Sequence, residues 1–320
     1  MHFSVSGVTV APWVPPLVSF CISFLTSTGG VSGAFLLLPF QMSFLGFTTP
    51  AVSPTNLVYN VVAIPSGIWR YIREGRMAWP LTWVVVVGAL PGVAIGGFLR
   101  TGYFKDEKSF KVFVGFVLLY LGLRMAWDLL PWAKRGKEKS RQAERRFNER
   151  FAEIRRSGDR SARLEGIKTL SFTPSRISYE FYGEVFTFST IGIFVLSFAV
   201  GIIGGIYGIG GGAIIAPFFV AVFKLPVYTV AGAALAGTFI TSVFGVAFYQ
   251  FVLPHFSPSY VPVRPDWLLG LLFGCGGLCG IYCGARLQKY MPAAIIKWIL
   301  AFFILLVAAK YLGLTKYIGF

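Results

Sequence analysis

The sequence predicts an all-α, polytopic membrane protein built as two four-segment halves, each opening on a broken or re-entrant helix. Three observations carry this reading. Hydrophobic residues make up 55% of the 320 and charged residues only 13%, with a mean hydropathy of +0.69, whereas a soluble domain carries roughly 25% charged residues. Apolar blocks recur at lengths near the roughly 20 residues that cross a bilayer as a helix. Two glycine clusters, each running to a proline, also stand at an offset of 178 inside long hydrophobic segments: Gly30-Val31-Ser32-Gly33 to Pro39, and Gly208-Ile209-Gly210-Gly211-Gly212 to Pro217.

The blocks fall at 10–41, 51–70, 79–100 and 109–132, then at 186–222, 227–252, 267–287 and 293–313. Blocks one and five are too long for one span and contain the glycine clusters, so each is expected to break within the membrane. The first ten residues lack a basic n-region and a small-residue cleavage site, so no removable signal peptide is expected. The organisation predicted is a first transmembrane repeat at 1–132, a basic cytoplasmic insert at 133–184 and a second repeat at 185–320. Of the 29 basic residues, 14 lie between Lys134 and Arg176. Lys and Arg clustered beside spans mark a cytoplasmic face, which disfavours nucleic acid as the reason for the net charge of +16. Phe147, Phe151 and Ile154 in the insert have helical spacing and suggest a short amphipathic helix, which could rest on anionic lipid, meet a partner or serve as a solvated linker.

The repetition extends beyond the clusters. At an offset of 188, Arg76 falls on Arg264, Trp79 on Trp267, and Gly88, Gly92 and Gly96 on Gly276, Gly280 and Gly284. Glycines four apart line one helix face and let two backbones approach closely, within the chain or in a homo-oligomer. Cys275, Cys279 and Cys283 form a neighbouring stripe. Packing is its ordinary use, and a metal or thiol-compound exporter reading through these thiols is the alternative.

Polar side chains gather around the two breaks. Ser27, Thr28, Gly30, Ser32, Gly33, Thr55, Asn56 and Asn60 accompany the first, and Gly208, Gly210, Gly211, Gly212, Thr238, Thr241 and Ser242 the second. A broken helix exposes backbone N–H groups at a positively polarised helix start, which suits an anion. Glycine lets the ligand reach that backbone, and hydroxyls and amides complete a cradle without full charge. Packing and back-bonding to helix carbonyls are the ordinary uses of each such Ser or Thr taken singly.

These elements, the Thr55–Asn60 and Thr238–Ser242 stretches and the Trp79 and Trp267 blocks with their glycine stripes resemble the TauE/SafE family of sulfite and organosulfonate exporters, over nearly the whole chain except the insert. The resemblance implies a permease of the cytoplasmic (inner) membrane that moves small sulfur-containing anions outward, although members vary in substrate and some are linked to uptake. The first cluster is more polar and less glycine-rich than the second, so the two half-sites are expected to contribute unequally, with Ser27, Thr28, Ser32, Thr55 and Asn56 weighted above their counterparts.

Asp, Glu and His are scarce in the blocks, so no buried proton relay is evident. An anion leaving an inside-negative cell gains about 2.3 kcal/mol per charge per 100 mV, and a uniporter driven by the membrane potential follows. No nucleophile paired with a base points to an enzyme, and no cofactor is implied. Placing the insert in the cytoplasm leaves two topologies, parallel halves or inverted ones, and the loop charges lean toward inversion.

Overall fold

The computed structural model describes residues 1–28, 32–73, 75–130, 138–157, 166–258, 260–287 and 293–314. The first half runs α1 (Val14–Thr28), α2 (Ala34–Ser43), α3 (Val52–Ala63), α4 (Pro65–Arg73), α5 (Trp79–Gly102) and α6 (Glu107–Leu129). The second runs α8 (Thr190–Tyr207), α9 (Gly212–Ala221), α10 (Val227–Ala247), α11 (Trp267–Leu287) and α12 (Ala293–Tyr311). A π-helical turn at Phe248–Val252 and a 3-10 turn at Leu253–His255 prolong α10. Among the described residues, five helices are long and apolar enough to cross a membrane, at 79–102, 107–127, 190–207, 227–255 and 267–284; shorter apolar helices cover 14–27, 34–43 and 298–311. Local chemistry sets several of their ends. Asp106 accepts from Ser109 N at 2.9 Å to start α6, and Ser189 accepts from Gly192 N at 3.1 Å to start α8, the N-cap arrangement that satisfies an otherwise orphaned donor.

The two long blocks break as expected, α1 from α2 and α8 from α9. The glycine trios do what their spacing predicts, and they do it between the halves. A Cβ on Gly88, Gly92 or Gly96 would lie 2.8, 2.4 or 2.4 Å from the carbonyl oxygens of Phe194, Phe198 and Ile202 on α8. On Gly276, Gly280 or Gly284 it would lie 2.0, 2.4 or 2.5 Å from those of Pro16, Phe20 and Phe24 on α1. No side chain fits at such distances, so each α5-type helix seats directly on the backbone of the other half's opening helix.

These pairings also give the helix directions. Partner numbers rise together along α5 and α8, along α1 and α11, and along α5 and α10, where Gly237 meets Val85 and Gly245 meets Val93. They also rise together along α3 and α11, where Gly270 meets Val58 and Gly274 meets Val62. Between α3 and α10 they run oppositely, with Gly245 against Leu57 and Ser242 against Asn60. They do so again between α6 and α12, where Gly115 meets Tyr311 and Leu312 and Gly122 meets Ile304 and Leu305. α1 and α8, α3 and α10, α5 and α11, and α6 and α12 therefore run in opposite directions.

The insert holds α7 (Glu138–Ser157) and an antiparallel sheet of β1 (Lys168–Phe172), β2 (Arg176–Phe181) and β3 (Glu184–Ser189) in the order β1-β2-β3. Sequence reading anticipated the helix but not the sheet, whose alternating Ile177, Tyr179 and Phe181 are buried amid a charge-rich stretch. β3 also spans the 184/185 boundary, and the fifth apolar block becomes helical only at Thr190. The insert docks on the bundle end where α10 begins. Tyr179 and Thr229 share a 2.7 Å hydrogen bond, Val227 N donates to Glu144 at 2.7 Å, and Tyr228 donates to Asn148 at 3.1 Å. Phe147 packs at 4.7 Å from the Tyr228 ring, so this side chain of the amphipathic helix meets protein; the Phe151 and Ile154 side chains lie outside the described part.

Seating glycine on backbone gives a direct test. Gly92→Ala and Gly280→Ala should each cost about 1–3 kcal/mol through overpacking, read by thermal unfolding of the purified protein. Gly102→Ala, where an added Cβ meets nothing within 4 Å, should stay within about 0.5 kcal/mol of wild type.

Candidate functional site

Breaking α8 in the bundle interior exposes backbone carbonyls that need donors, because little water is available there to supply them. The chain turns at Gly208, which adopts a left-handed conformation with φ +81°, and a Cβ there would lie 2.3 Å from Ser53 O. Only glycine meets both demands. The Gly208 and Ile209 N–H groups fold back to Gly204 O at 2.8 and 3.2 Å, and α9 resumes at Gly212. Gly212 is packed so closely that a Cβ would fall 1.8 Å from Ala234 O on α10.

The donors come from α3. Ser53 Oγ donates to Ile206 O at 2.9 Å, Asn56 Nδ2 to Gly208 O at 2.9 Å and Asn60 Nδ2 to Ile209 O at 3.0 Å. Intervals of three and four place these three side chains on one helix face. The second hydrogen of Asn56 reaches Ala34 O, in the first turn of α2, at 3.0 Å, while Gln41 Nε2 donates to Asn56 Oδ1 at 3.2 Å. Tyr207 OH adds a 2.7 Å bond to Phe35 O. One face of α3 thus binds the start of α2 to the α8–α9 break. Asn60 also donates to Ser242 Oγ on α10 at 3.3 Å.

The other expected residues take varied places. Thr241 Oγ1 donates to Gly237 O at 2.7 Å and accepts from Gly211 N at 3.3 Å, so it touches the break directly. Thr238 donates to Ala234 O at 2.8 Å, and its methyl lies where a Cβ on Gly210 would reach, at 2.8 Å. Thr55 donates to Ala51 O at 2.7 Å and accepts from Asp266 N at 2.9 Å, which ties its hydroxyl to the start of α11. Ser27 donates to Phe24 O at 3.2 Å in the α1–α11 seam beside Gly284, away from the α3 face. Ser32 accepts from Ala34 N at 3.4 Å, and Gly33 caps α2 next to Tyr59, whose hydroxyl shares a 2.7 Å bond with Ser23. Gly30 and the Thr28 side chain lie outside the described part.

The donor ledger differs from the sequence reading. There the Asn56 and Asn60 amides offered hydrogens to a ligand; here those hydrogens go to carbonyls and to Ser242. The unpartnered atoms are acceptors, Gln41 Oε1 and Asn60 Oδ1, both buried. Thr55, Asn56, Asn60, Thr241 and Ser242 are all fully buried, so the belt is closed to solvent. Sequence reading passed over Gln41, Ser53 and Tyr207. Ser53 carried a usable signal, standing three residues before Asn56 on the same face.

Cys275 and Cys279 are exposed and Cys283 is half-exposed, because the adjacent glycine face is the one turned onto α1. No group of three His, Cys, Asp or Glu able to hold a metal occurs among the described residues.

The family profile described as "Sulfite exporter TauE/SafE" matches residues 16–311. No curated protein and no solved structure matches.

Asn56→Leu removes the donor from two buried carbonyls, each costing about 1–3 kcal/mol. The variant should unfold at a markedly lower temperature than wild type. Cys279→Ala, on the exposed stripe, should stay close to wild type in the same scan.

Proposed function

The chain belongs to the TauE/SafE family of sulfite exporters, and on that premise we propose that it exports sulfite or organosulfonates across the cytoplasmic membrane, with the anion crossing between the two helix breaks that α3 joins. The observation that carries this reading is the Ser53, Asn56 and Asn60 face, which touches the start of α2 and the α8–α9 break at once. The start of α2 supplies partial positive charge where it meets α3, and the start of α9 does so where it packs on α10, one turn beyond the carbonyls that α3 holds. In the closed arrangement the Asn56 and Asn60 hydrogens are held by carbonyls. An arriving anion competes as the better acceptor, since hydrogen bonds to ionised groups are roughly twice as strong as neutral ones. Exchange of these bonds from carbonyl to anion couples occupancy to movement of the hairpins. Opposed helix directions in the two halves suit alternate opening of the two ends.

The membrane potential drives the flux. The candidate spans carry Glu107 and His255 only at their ends, and Asp266, at the start of α11, is engaged by Ser6 Oγ at 2.8 Å and Leu269 N at 3.2 Å. An exiting monoanion gains about 2.3 kcal/mol per 100 mV, which is enough for net export. The end carrying the basic insert faces the cytoplasm.

Proteoliposomes with an imposed potential test the reading. Wild type should carry sulfite or a sulfonate in proportion to the potential, with no requirement for a pH gradient. Asn60→Ala should lose at least tenfold of that flux, and a variant with Cys275, Cys279 and Cys283 all changed to Ala should retain it. Flux that tracks a pH gradient at clamped potential would contradict the proposed drive.

A further inference from the structure

Arg100, in the last turn of α5, is fully buried. Its partners among the described residues are neutral: Nε donates to Ser53 Oγ at 3.1 Å, Nη2 to Thr49 O at 3.3 Å and Nη1 to the Phe104 carbonyl, while the guanidinium carbon stands 3.6 Å from the Phe110 ring centroid. A guanidinium has five N–H donors, so two remain beyond these three bonds. Thr49 holds a further unused group, since its Oγ1 is buried and has no hydrogen-bond partner. A charge met by no anionic partner among the described residues and an unpaired hydroxyl are each costly to bury, and the two residues are joined by the bond from Arg100 to Thr49 O. Pinning the Thr49 and Phe104 carbonyls explains a hydrogen-bonding side chain at this position. It does not explain a full positive charge, which the partial negative end of α5 offsets only in part.

We propose that Arg100 and Thr49 form an oxyanion-binding station at the end of the bundle away from the insert. The two free guanidinium N–H groups and the Thr49 hydroxyl are its donors. It lies one side chain from the α8 break, because the Ser53 hydroxyl that accepts from Arg100 donates to Ile206 O. Its ligand is a small tetrahedral or pyramidal oxyanion, for which a planar guanidinium fork is well suited. The Phe110 face behind the fork leaves the ligand to approach through the guanidinium edge. Resting on the transport reading above, the station is the last stop of an outgoing anion, and it supplies the charge that the neutral belt around α3 lacks.

The test uses the full chain purified in an uncharged detergent, with sodium sulfite, sodium methanesulfonate and sodium chloride at matched ionic strength. Calorimetric titration reads binding and a thermal scan reads folding. Thr49→Val, which removes only the unpaired hydroxyl, should keep or raise the unfolding temperature and weaken sulfite binding about tenfold. Arg100→Gln should abolish saturable sulfite binding, and Arg100→Lys should restore part of it. Wild-type affinity in both Thr49→Val and Arg100→Gln would overturn the proposal. Should Arg100→Gln fail to fold, wild-type affinity in Thr49→Val overturns it alone. Potential-driven sulfite flux by wild type separates the two claims: flux without loss of affinity in the variants sinks the station only, whereas no anion flux in wild type sinks the transport reading.

Discussion

A helix broken inside a membrane protein must find donors for the carbonyls that the break exposes, and the rest of this structure is arranged around that requirement. Three side chains on one face of α3 satisfy the carbonyls of Ile206, Gly208 and Ile209. Asn56 also holds the start of α2, so the two breaks cannot shift independently while it stays bonded. The close packing follows from the same need. Gly208 lies against Ser53 and Gly212 against Ala234 because the donors reach the break only if its backbone comes within van der Waals distance of α3 and α10.

The glycine stripes give this centre its frame. α5 rests on α8 and α11 on α1, each across the boundary between halves. Both trios are therefore consumed within the chain. The opposed directions of α1 and α8 bring the two breaks to α3 from opposite ends of the bundle. Little hydrophobic drive exists between helices in lipid, so these backbone contacts supply much of what keeps the halves in register.

Much of this was legible in the sequence because it rests on period and composition. The broken blocks and the use of Gly88, Gly92, Gly96 and their counterparts could be read from spacing, and the family from the resemblance of the motifs in their order, which the profile match bears out. The side-chain assignments were harder. Thr55 and Asn56 are adjacent in the chain, yet Asn56 serves the breaks whereas Thr55 faces away and holds Asp266 N. Ser27 likewise falls in a helix seam. Hydroxyls in apolar helices look alike in sequence, and only the direction of the face tells a break partner from a packing residue. The sheet of the insert was hidden because charge dominates a stretch whose alternating Ile177, Tyr179 and Phe181 mark a buried face. Arg100 was visible as a lone arginine ending a span, but its neutral surroundings depend on Thr49, Ser53 and Phe104 meeting in space.

Transport by this chain requires the face of α3 to open to each side in turn and an anion to occupy it. A cysteine at Ser242, which touches Asn60, in a protein whose four native cysteines are replaced, tests this most directly when a membrane-impermeant thiol reagent is applied from either side of oriented vesicles. Labelling should occur from each side, slowed by sulfite and unaffected by chloride. A cysteine there that labels from one side only, or at a rate that sulfite does not change, would contradict it.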